Sequence, residues 1–315
     1  MTFENNNKPL APRLMIKHLA GIIPIAESIS RFKMPWHDVL MPLGENYFLI
    51  HKSIYDCALA GCETIWLVCP RDIEPLLRKI VGDFIEDPVY HLRFHAPKEK
   101  RHEQKKFIPI YYVPIAPKDY KRRESLIWSL IYGAFVANSI STSISGWLKP
   151  ESFFITFPFN IIHSDSILRK NRILLSSNKK VLFVNDKNHS ILDGEYFPFV
   201  CSMKDIRFAR KKFHRISTRE IDKFSDKKGE VVFINDKGYE FQKMNKLPRP
   251  ERWSGRWLEP KDVLEFNMED VVRLPIEDFS RILSWTDYQA CLSNFTFDRP
   301  ELFNFGGQLQ KIAAD

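Results

Sequence analysis

Blocks of apolar residues in the first quarter of the chain predict a strand, a loop, a helix and a second strand. Leu19–Ala26 is a short apolar run between polar residues, which is typical of a buried strand that opens into a loop. In Phe48–Leu59 the apolar residues recur at helical spacing, and Gly61 follows where helices commonly end. Thr64–Cys69 is β-branched and aromatic, as buried strands often are. The pattern predicts a βαβ unit on a parallel sheet.

Later segments extend this sheet. Phe107–Val113 and Phe153–Phe157 are further apolar runs of strand length, and Glu124–Ser139 is amphipathic with helical period. We therefore predict that these two runs and the two strands above are neighbours in one sheet. Val271–Trp285 and Tyr288–Leu292 are expected to be helical, and Ile191–Phe197 is expected to form a hairpin with the apolar residues before it.

The fold class predicted from these elements is α/β, with a mostly parallel twisted sheet, helices on both faces and an α+β C-terminal part. We divide the chain into three parts by composition. Residues 1–14 are a polar tail, residues 15–215 form the main domain, and residues 216–315 form a C-terminal extension that is expected to pack back on the core.

Composition narrows the cellular setting and the kind of partner. The 315 residues include eight more Lys and Arg than Asp and Glu, and the pI is about 9.1, which favours anionic partners. Five cysteines without a Cys-x-x-Cys pair favour reduced thiols and a cytoplasmic protein. There is no run of about 18 apolar residues and no signal-like N-terminus, so no membrane association is expected.

A set of short motifs carries a family resemblance. Leu40–Gly44 (LMPLG), the helix that follows, Ala60-Gly61 and the apolar strand Ile65–Val68 occur in an order that resembles the sugar-phosphate nucleotidyltransferases. The resemblance implies a GT-A-like fold that joins a nucleoside monophosphate to a phosphorylated acceptor. The loop Met34–Asp38 (MPWHD) also resembles that of divergent nucleotidyltransferase-like proteins encoded by tailed phages of marine bacteria, which would place the protein in a host cytoplasm.

The chain departs from the family pattern where the chemistry would take place. A glycine-rich loop with an arginine is replaced by Gly21–Pro24, which contains one glycine, and Pro35 is followed by Trp36 rather than lysine. A phosphoryl transition state requires positioned positive charge. The ligand site of a parallel sheet lies at the carboxyl ends of its strands, so the loop of residues 28–44 is the predicted site.

Candidate residues follow from that loop and from the resemblance. Arg31 and Lys33 are the cations available to a triphosphate, and His37 or Asp38 could orient the attacking phosphate. The candidate substrate-binding residues and the four candidate catalytic residues are Gly21, Trp36 and Gly44, and Arg31, Lys33, His37 and Asp38, respectively. The alternative is a rebuilt surface loop without catalysis.

The resemblance also implies Mg²⁺, held by an aspartate just after the central strand. Here that strand continues into Asn160, a neutral and weaker ligand for a hard cation. Asp165 and Asp298 are the candidate replacements. Asp298, within a run that resembles the family's Asp-Thr-Pro-Glu-Asp-Leu, is equally well explained as a helix N-cap.

Three functions remain open from the sequence. The first is a diverged nucleotidyltransferase that uses a nucleoside triphosphate, a phosphorylated small molecule and Mg²⁺. The second is an inactive nucleotidyltransferase-like binding or assembly module. The third is a nucleic-acid-binding protein that uses the basic clusters Lys98–Lys106, Lys118–Arg123 and Lys204–Arg215, the last of which includes two phenylalanines.

Overall fold

A computed structural model describes the parts of the chain that form the fold. These are residues 18–25, 32, 34–89, 106–115, 125–177, 179–219, 221–225, 231–235, 240–241, 258–297 and 300. The strands are β1 (Leu19–Pro24), β2 (Pro42–Gly44), β3 (Tyr47–Phe48), β4 (Thr64–Cys69), β5 (Phe84–Glu86), β6 (Phe107–Pro114), β7 (Ser152–Ile155), β8 (Asn160–Ile162), β9 (Lys180–Val184), β10 (Phe199–Ser202), β11 (Ile221–Ser225), β12 (Val231–Asn235), β13 (Glu240–Phe241), β14 (Val271–Pro275) and β15 (Phe279–Arg281). The helices are α1 (Leu49–Ala60), α2 (Glu74–Val81), α3 (Leu126–Ile144), α4 (Asp165–Leu175), α5 (Met203–Arg219), α6 (Pro260–Val263) and α7 (Trp285–Asn294).

The main sheet has eight strands in the order β14-β9-β10-β7-β1-β4-β6-β5. Six of them run parallel, while β10 and the edge strand β5 are antiparallel to their neighbours. Strands β7, β1, β4 and β6 are adjacent, which confirms the prediction that the four apolar runs share one sheet. The predicted fold class is also confirmed, because the described helices cover both faces of this mostly parallel sheet.

Both faces of the sheet are buried under helices. On one face α1, α2 and α4 pack on apolar side chains of the strands, and on the other face α3, α5 and α6 do so. The central strands therefore carry apolar residues on both sides, which is the pattern of a doubly covered parallel sheet. Among the described helices, α3 is long and apolar enough to cross a membrane, but half of it is buried inside this core. Its apolar character follows from that packing.

The prediction at Gly61 is confirmed. Helix α1 ends there with Gly61 at φ 95°, the left-handed conformation that glycine adopts without strain. A side chain at this position would also meet the Cγ of Arg172, only 2.8 Å from an ideal Cβ. The Arg172 guanidinium lies buried between α1 and α4, and donates to the carbonyl of Ala58 and to both carboxylate oxygens of Asp87.

Two sequence predictions in the second half are wrong. Most of the segment predicted as the helix Val271–Trp285 forms β14 and β15 instead, because its β-branched start pairs in parallel with β9 at the edge of the sheet. The predicted strand Ile191–Phe197 begins with a turn of 3₁₀-helix, since Ser190 and Asp193 cap each other's backbone and Gly194 adopts a left-handed conformation. The pairing strand, β10, starts two residues later.

Candidate functional site

The carboxyl ends of β1, β4, β6 and β7 meet at one edge of the sheet. Main-chain hydrogen bonds continue just past the strands there: the amide of Ile25 donates to the carbonyl of Val68, and the amide of Thr156 donates to that of Ile22. The segments that follow these strands therefore start side by side. This edge, which we call the carboxyl edge, is where a parallel sheet normally presents its ligand site.

The polar residues on the β1 and β4 side of this edge are His37, Asp38 and Asp72. His37 opens a 3₁₀ turn, and its Nδ1 accepts from the amide of Val39 at 3.4 Å. Burial lowers the pKa of His37, and the carboxylates of Asp38 and Asp72 together with the Ile25 carbonyl offset part of that shift. Two predicted catalytic residues are thus consecutive and face a third carboxylate that the sequence analysis did not select.

The other predicted residues of the loop lie apart from this group or beyond the described residues. Arg31 and Lys33 fall outside the described residues. Trp36 is 53% exposed, so it is available to a ligand but is not held by the core. Between the two cations, Phe32 is buried edge-on against Trp285 and Tyr288 of α7, which ties this loop to the C-terminal helix.

The two glycines predicted to bind substrate occupy close-packed positions. Gly21 lies in mid-strand, where an ideal Cβ would come within 2.8 Å of the Cys57 sulfur on α1. Gly44 ends β2, and an ideal Cβ there would meet the carbonyl oxygen of Phe297 at 2.4 Å. Each glycine allows a close approach of another element, so packing alone requires glycine at both positions.

Three polar side chains beyond the carboxyl end of β7 have buried atoms without a hydrogen-bond partner among the described residues. They are the hydroxyl of Thr156, both amide atoms of Asn160, and Nε of Arg281. Asn160 on β8 pairs with Arg281 on β15, so these two side chains extend from the same face of that small sheet. Unpartnered buried polar atoms are costly, and such a cluster is suited to an ordered water or a polar group of a ligand.

Arg281 adds positive charge to this cluster. One of its terminal nitrogens lies 3.3 Å from a carboxylate oxygen of Glu195, and the guanidinium carbon is 5.8 Å from the centre of the Tyr196 ring. The aromatic rings of Phe157, Phe159 and Tyr196 pack against one another at this end of β7. The site is therefore a cation and an amide on an apolar floor.

The described residues do not fit a magnesium site. No group of three or more His, Cys, Asp or Glu side chains among them is placed to hold a metal ion. Asn160 occupies the position after the central strand and offers a neutral amide next to a guanidinium, which disfavours a cation. Asp298 lies outside the described residues. Asp165 is described, and its carboxylate is bound to a lysine.

That lysine is Lys52 on α1, a buried residue that the sequence analysis missed. Its Nζ lies 2.6 Å from Asp56 and 2.8 Å from Asp165 at the start of α4, so one cation joins two carboxylates across the helix pair. Burial raises the pKa of Asp56 to about 6, although the ammonium of Lys52 opposes this shift. A Lys-x-x-x-Asp pair inside an otherwise apolar helix was the signal available in the sequence.

Close by, His163 is held as a neutral base. Its Nε2 is 2.7 Å from the hydroxyl of Ser280, and its ring stacks on Phe295 with centroids 3.3 Å apart. Burial and the nearby charge of Lys52 lower the pKa of His163 to about 4, while Asp278 opposes that shift. The ring is therefore uncharged at neutral pH.

Comparisons with known proteins agree with the geometry at the level of fold. No family model matches the chain, and no curated protein matches it. A protein named as a glucose-1-phosphate thymidylyltransferase from Bacillus anthracis, solved in complex with a sucrose, superposes with a TM-score of 0.54 over 91% of this chain and 99% of its own, at 11% identity. The chain has the nucleotidyltransferase fold. A UTP-bound UGPase from Acinetobacter baumannii matches with a TM-score of 0.45 and 13% identity, covering 96% and 99% of the two chains.

Proposed function

We propose that this protein is a nucleotidyltransferase that binds a nucleoside triphosphate at the carboxyl edge and transfers its nucleoside monophosphate to a phosphorylated small molecule. The observation that carries the proposal is the cluster of unpartnered buried polar atoms on Thr156, Asn160 and Arg281 at the end of the central strand. Such a cluster favours a polar ligand at the edge where this fold class presents its ligand site.

In the proposed reaction an oxygen of the acceptor phosphate attacks the α-phosphorus, and the bond to the leaving pyrophosphate breaks. The protein's contribution is orientation and positive charge rather than a covalent intermediate. Arg281 supplies charge on the β7 side, and Arg31 and Lys33 are proposed to supply it from the loop after β1. His37 is proposed to orient the acceptor, because its lowered pKa leaves it uncharged and able to accept a hydrogen bond.

A binding module without turnover is the second candidate. The neutral side chain of Asn160 favours it, because an amide in that position removes one unit of negative charge from any cation site. Under this proposal the triphosphate would be held at the same edge by the same cations. The proposed phage origin and host-cytoplasmic location stay predictions under either candidate.

Calorimetric titration with each of the four nucleoside triphosphates tests the binding step. We expect at least one to bind below millimolar, and the double change Arg31→Ala with Lys33→Ala to weaken it by about 1–3 kcal/mol, the usual loss for charge-assisted hydrogen bonds. Arg281→Gln should weaken binding within the same range. The matched control is Lys79→Ala with Lys170→Ala, two exposed lysines on α2 and α4, which should bind like the wild type.

Pyrophosphate release with a panel of sugar phosphates then separates the two candidates. Release that depends on the acceptor supports the transferase, whereas binding without release supports the module. If no triphosphate binds below millimolar, both candidates are wrong.

A further inference from the structure

A cleft of about 1210 Å³ opens at the opposite edge of the sheet from the proposed nucleotide site. It lies beside the residues that begin β7, β9 and β14 and those that end the antiparallel strand β10, and it reaches the first turns of α5. These are the amino ends of parallel strands, so the cleft is separate from the carboxyl edge. We call it the amino-edge cleft.

The walls of this cleft differ in charge. On the side of α5 and β9, and on the segment before β7, it is lined by Lys149, Lys179, Lys204 and Arg207. Lys180 also lies there, but it is paired with Asp205 at 2.9 Å. The carboxylates of the remaining lining residues, Glu151, Glu269 and Asp270, stand on the segments before β7 and β14. A polyanion is therefore attracted to the α5 side of the cleft rather than to its full width.

Helix α5 continues the positive wall away from the cleft. Its residues at helical spacing on one exposed face are Lys204, Arg207, Phe208, Lys211 and Arg215. No acidic residue interrupts this face, which we call the α5 stripe. From Lys204 to Arg215 it extends about 16 Å, at 1.5 Å per residue.

The arrangement is unfavourable for the stability of the helix itself. Lys204 and Arg207 lie near its N-terminus, where the helix dipole favours negative charge. Arg207, Lys211 and Arg215 are spaced four residues apart, which places like charges next to one another. An anionic partner along the stripe would offset both costs, and this points to a role in binding.

Phe208 gives the stripe a second kind of contact. It is a large aromatic side chain that is 50% exposed, although the opposite face of α5 provides an apolar core for Ile206, Ala209 and Phe213, all buried. Exposed aromatic rings among cations are the means by which proteins stack the bases of unpaired strands while binding their phosphates. Double-stranded DNA would offer Phe208 no exposed base face.

We propose that the α5 stripe and the basic wall of the amino-edge cleft bind single-stranded nucleic acid. The phosphates lie along Lys204, Arg207 and Lys211, and a base stacks on Phe208. An acidic membrane would be attracted by the same charges, but the apolar face of α5 is already buried in the core and cannot enter a bilayer. The other basic clusters of the sequence, apart from Lys106, lie outside the described residues.

The test is fluorescence anisotropy of labelled oligothymidine and oligouridine of about 15 nucleotides, titrated with the full chain at several salt concentrations. We expect binding whose logarithmic salt slope falls by about two units in the double variant Arg207→Gln with Lys211→Gln, since each lost phosphate contact removes about one. Phe208→Ala should weaken binding about fivefold or more, and Phe208→Leu should weaken it similarly, because stacking needs the ring.

Matched controls identify the surface. Lys79→Gln with Lys170→Gln removes the same charge from other helices and should leave the affinity for the oligonucleotide within about twofold of wild type. Asp38→Asn, at the proposed nucleotide site, should also leave it unchanged, so failure of one proposal is distinguishable from failure of the other. The proposal is overturned if no oligonucleotide binds, if the control double variant loses as much affinity, if both Phe208 variants bind like wild type, or if vesicles of anionic lipid bind while oligonucleotides do not.

Discussion

Replacing Arg172 by methionine is expected to lower the free energy of unfolding by about 3–5 kcal/mol, the scale for removing one partner of a buried ion pair. The reason is Asp87, whose side chain is only 1% exposed and whose carboxylate accepts two hydrogen bonds from the guanidinium. Without Arg172 that charge remains buried alone, and the carbonyl of Ala58 loses a donor as well. Urea denaturation followed by circular dichroism measures the change.

An exposed ion pair provides the control for this prediction. Arg78 lies 2.9 Å from Glu74 on α2, but its side chain is 48% exposed, so solvent screens the interaction. Arg78→Met should therefore cost no more than about 1 kcal/mol. Equal losses for the two variants would contradict the view that burial of Asp87 makes the difference. Arg172→Met combined with Asp87→Leu should recover most of the loss, because the buried charge is then gone.

Replacing Lys52 by methionine is the second change with a large expected effect, again about 3–5 kcal/mol at neutral pH. Lys52 is the ammonium between Asp56 and Asp165, and both Lys52 and Asp56 are almost completely buried. Its removal leaves Asp56 without a counter-charge and separates α4 from α1 electrostatically. Adding Asp56→Leu to the same chain should restore much of the stability.

The loss in Lys52→Met should depend on pH in a stated direction. The pKa of Asp56 in the folded protein is about 6, above its ordinary value of 3.8, so the folded state holds the proton more tightly than the unfolded state. The stability gained from that proton is present below the ordinary value and is lost as pH rises through the folded value. Removing Lys52 raises this pKa further, because the opposing ammonium is gone.

The variant should therefore lose less stability at about pH 5, where Asp56 is protonated, than at about pH 8, where it must be ionised or must hold its proton at a cost. We expect the two losses to differ by about 1 kcal/mol or more, since one pKa unit corresponds to about 1.4 kcal/mol. A loss that is the same at both pH values, or larger at the lower one, would contradict the assignment of the charge balance to Asp56.

The sequence predicted the parts of the fold in which local signals and tertiary packing agree. In β1, α1, Gly61 and β4, the apolar period, the helix stop and the β-branched strand all indicate the same βαβ unit, and the structure contains it. The prediction failed at β14, where Val271–Pro275 pairs with β9 from far along the chain. That pairing depends on a strand about 90 residues earlier, and the local pattern of the segment does not encode it.

The site was predictable in place but only partly in content. The rule that ligands bind at the carboxyl ends of parallel strands led to the loop that contains His37 and Asp38. Arg281 could not be found in this way, because it reaches the edge through the pairing of β15 with β8, which a sequence motif does not show. Asp165 was selected as a metal ligand, and a carboxylate in a sequence does not reveal that a buried lysine such as Lys52 will bind it.

Hydrogen–deuterium exchange of the protein with and without the triphosphate that binds most tightly tests the central claim most directly. If the nucleotide binds at the carboxyl edge, protection should increase at residues 34–41, 69–73 and 156–163 and should be unchanged at residues 202–207 beside the amino-edge cleft. Protection confined to residues 202–207, with none at the carboxyl edge, would contradict the proposed nucleotide site.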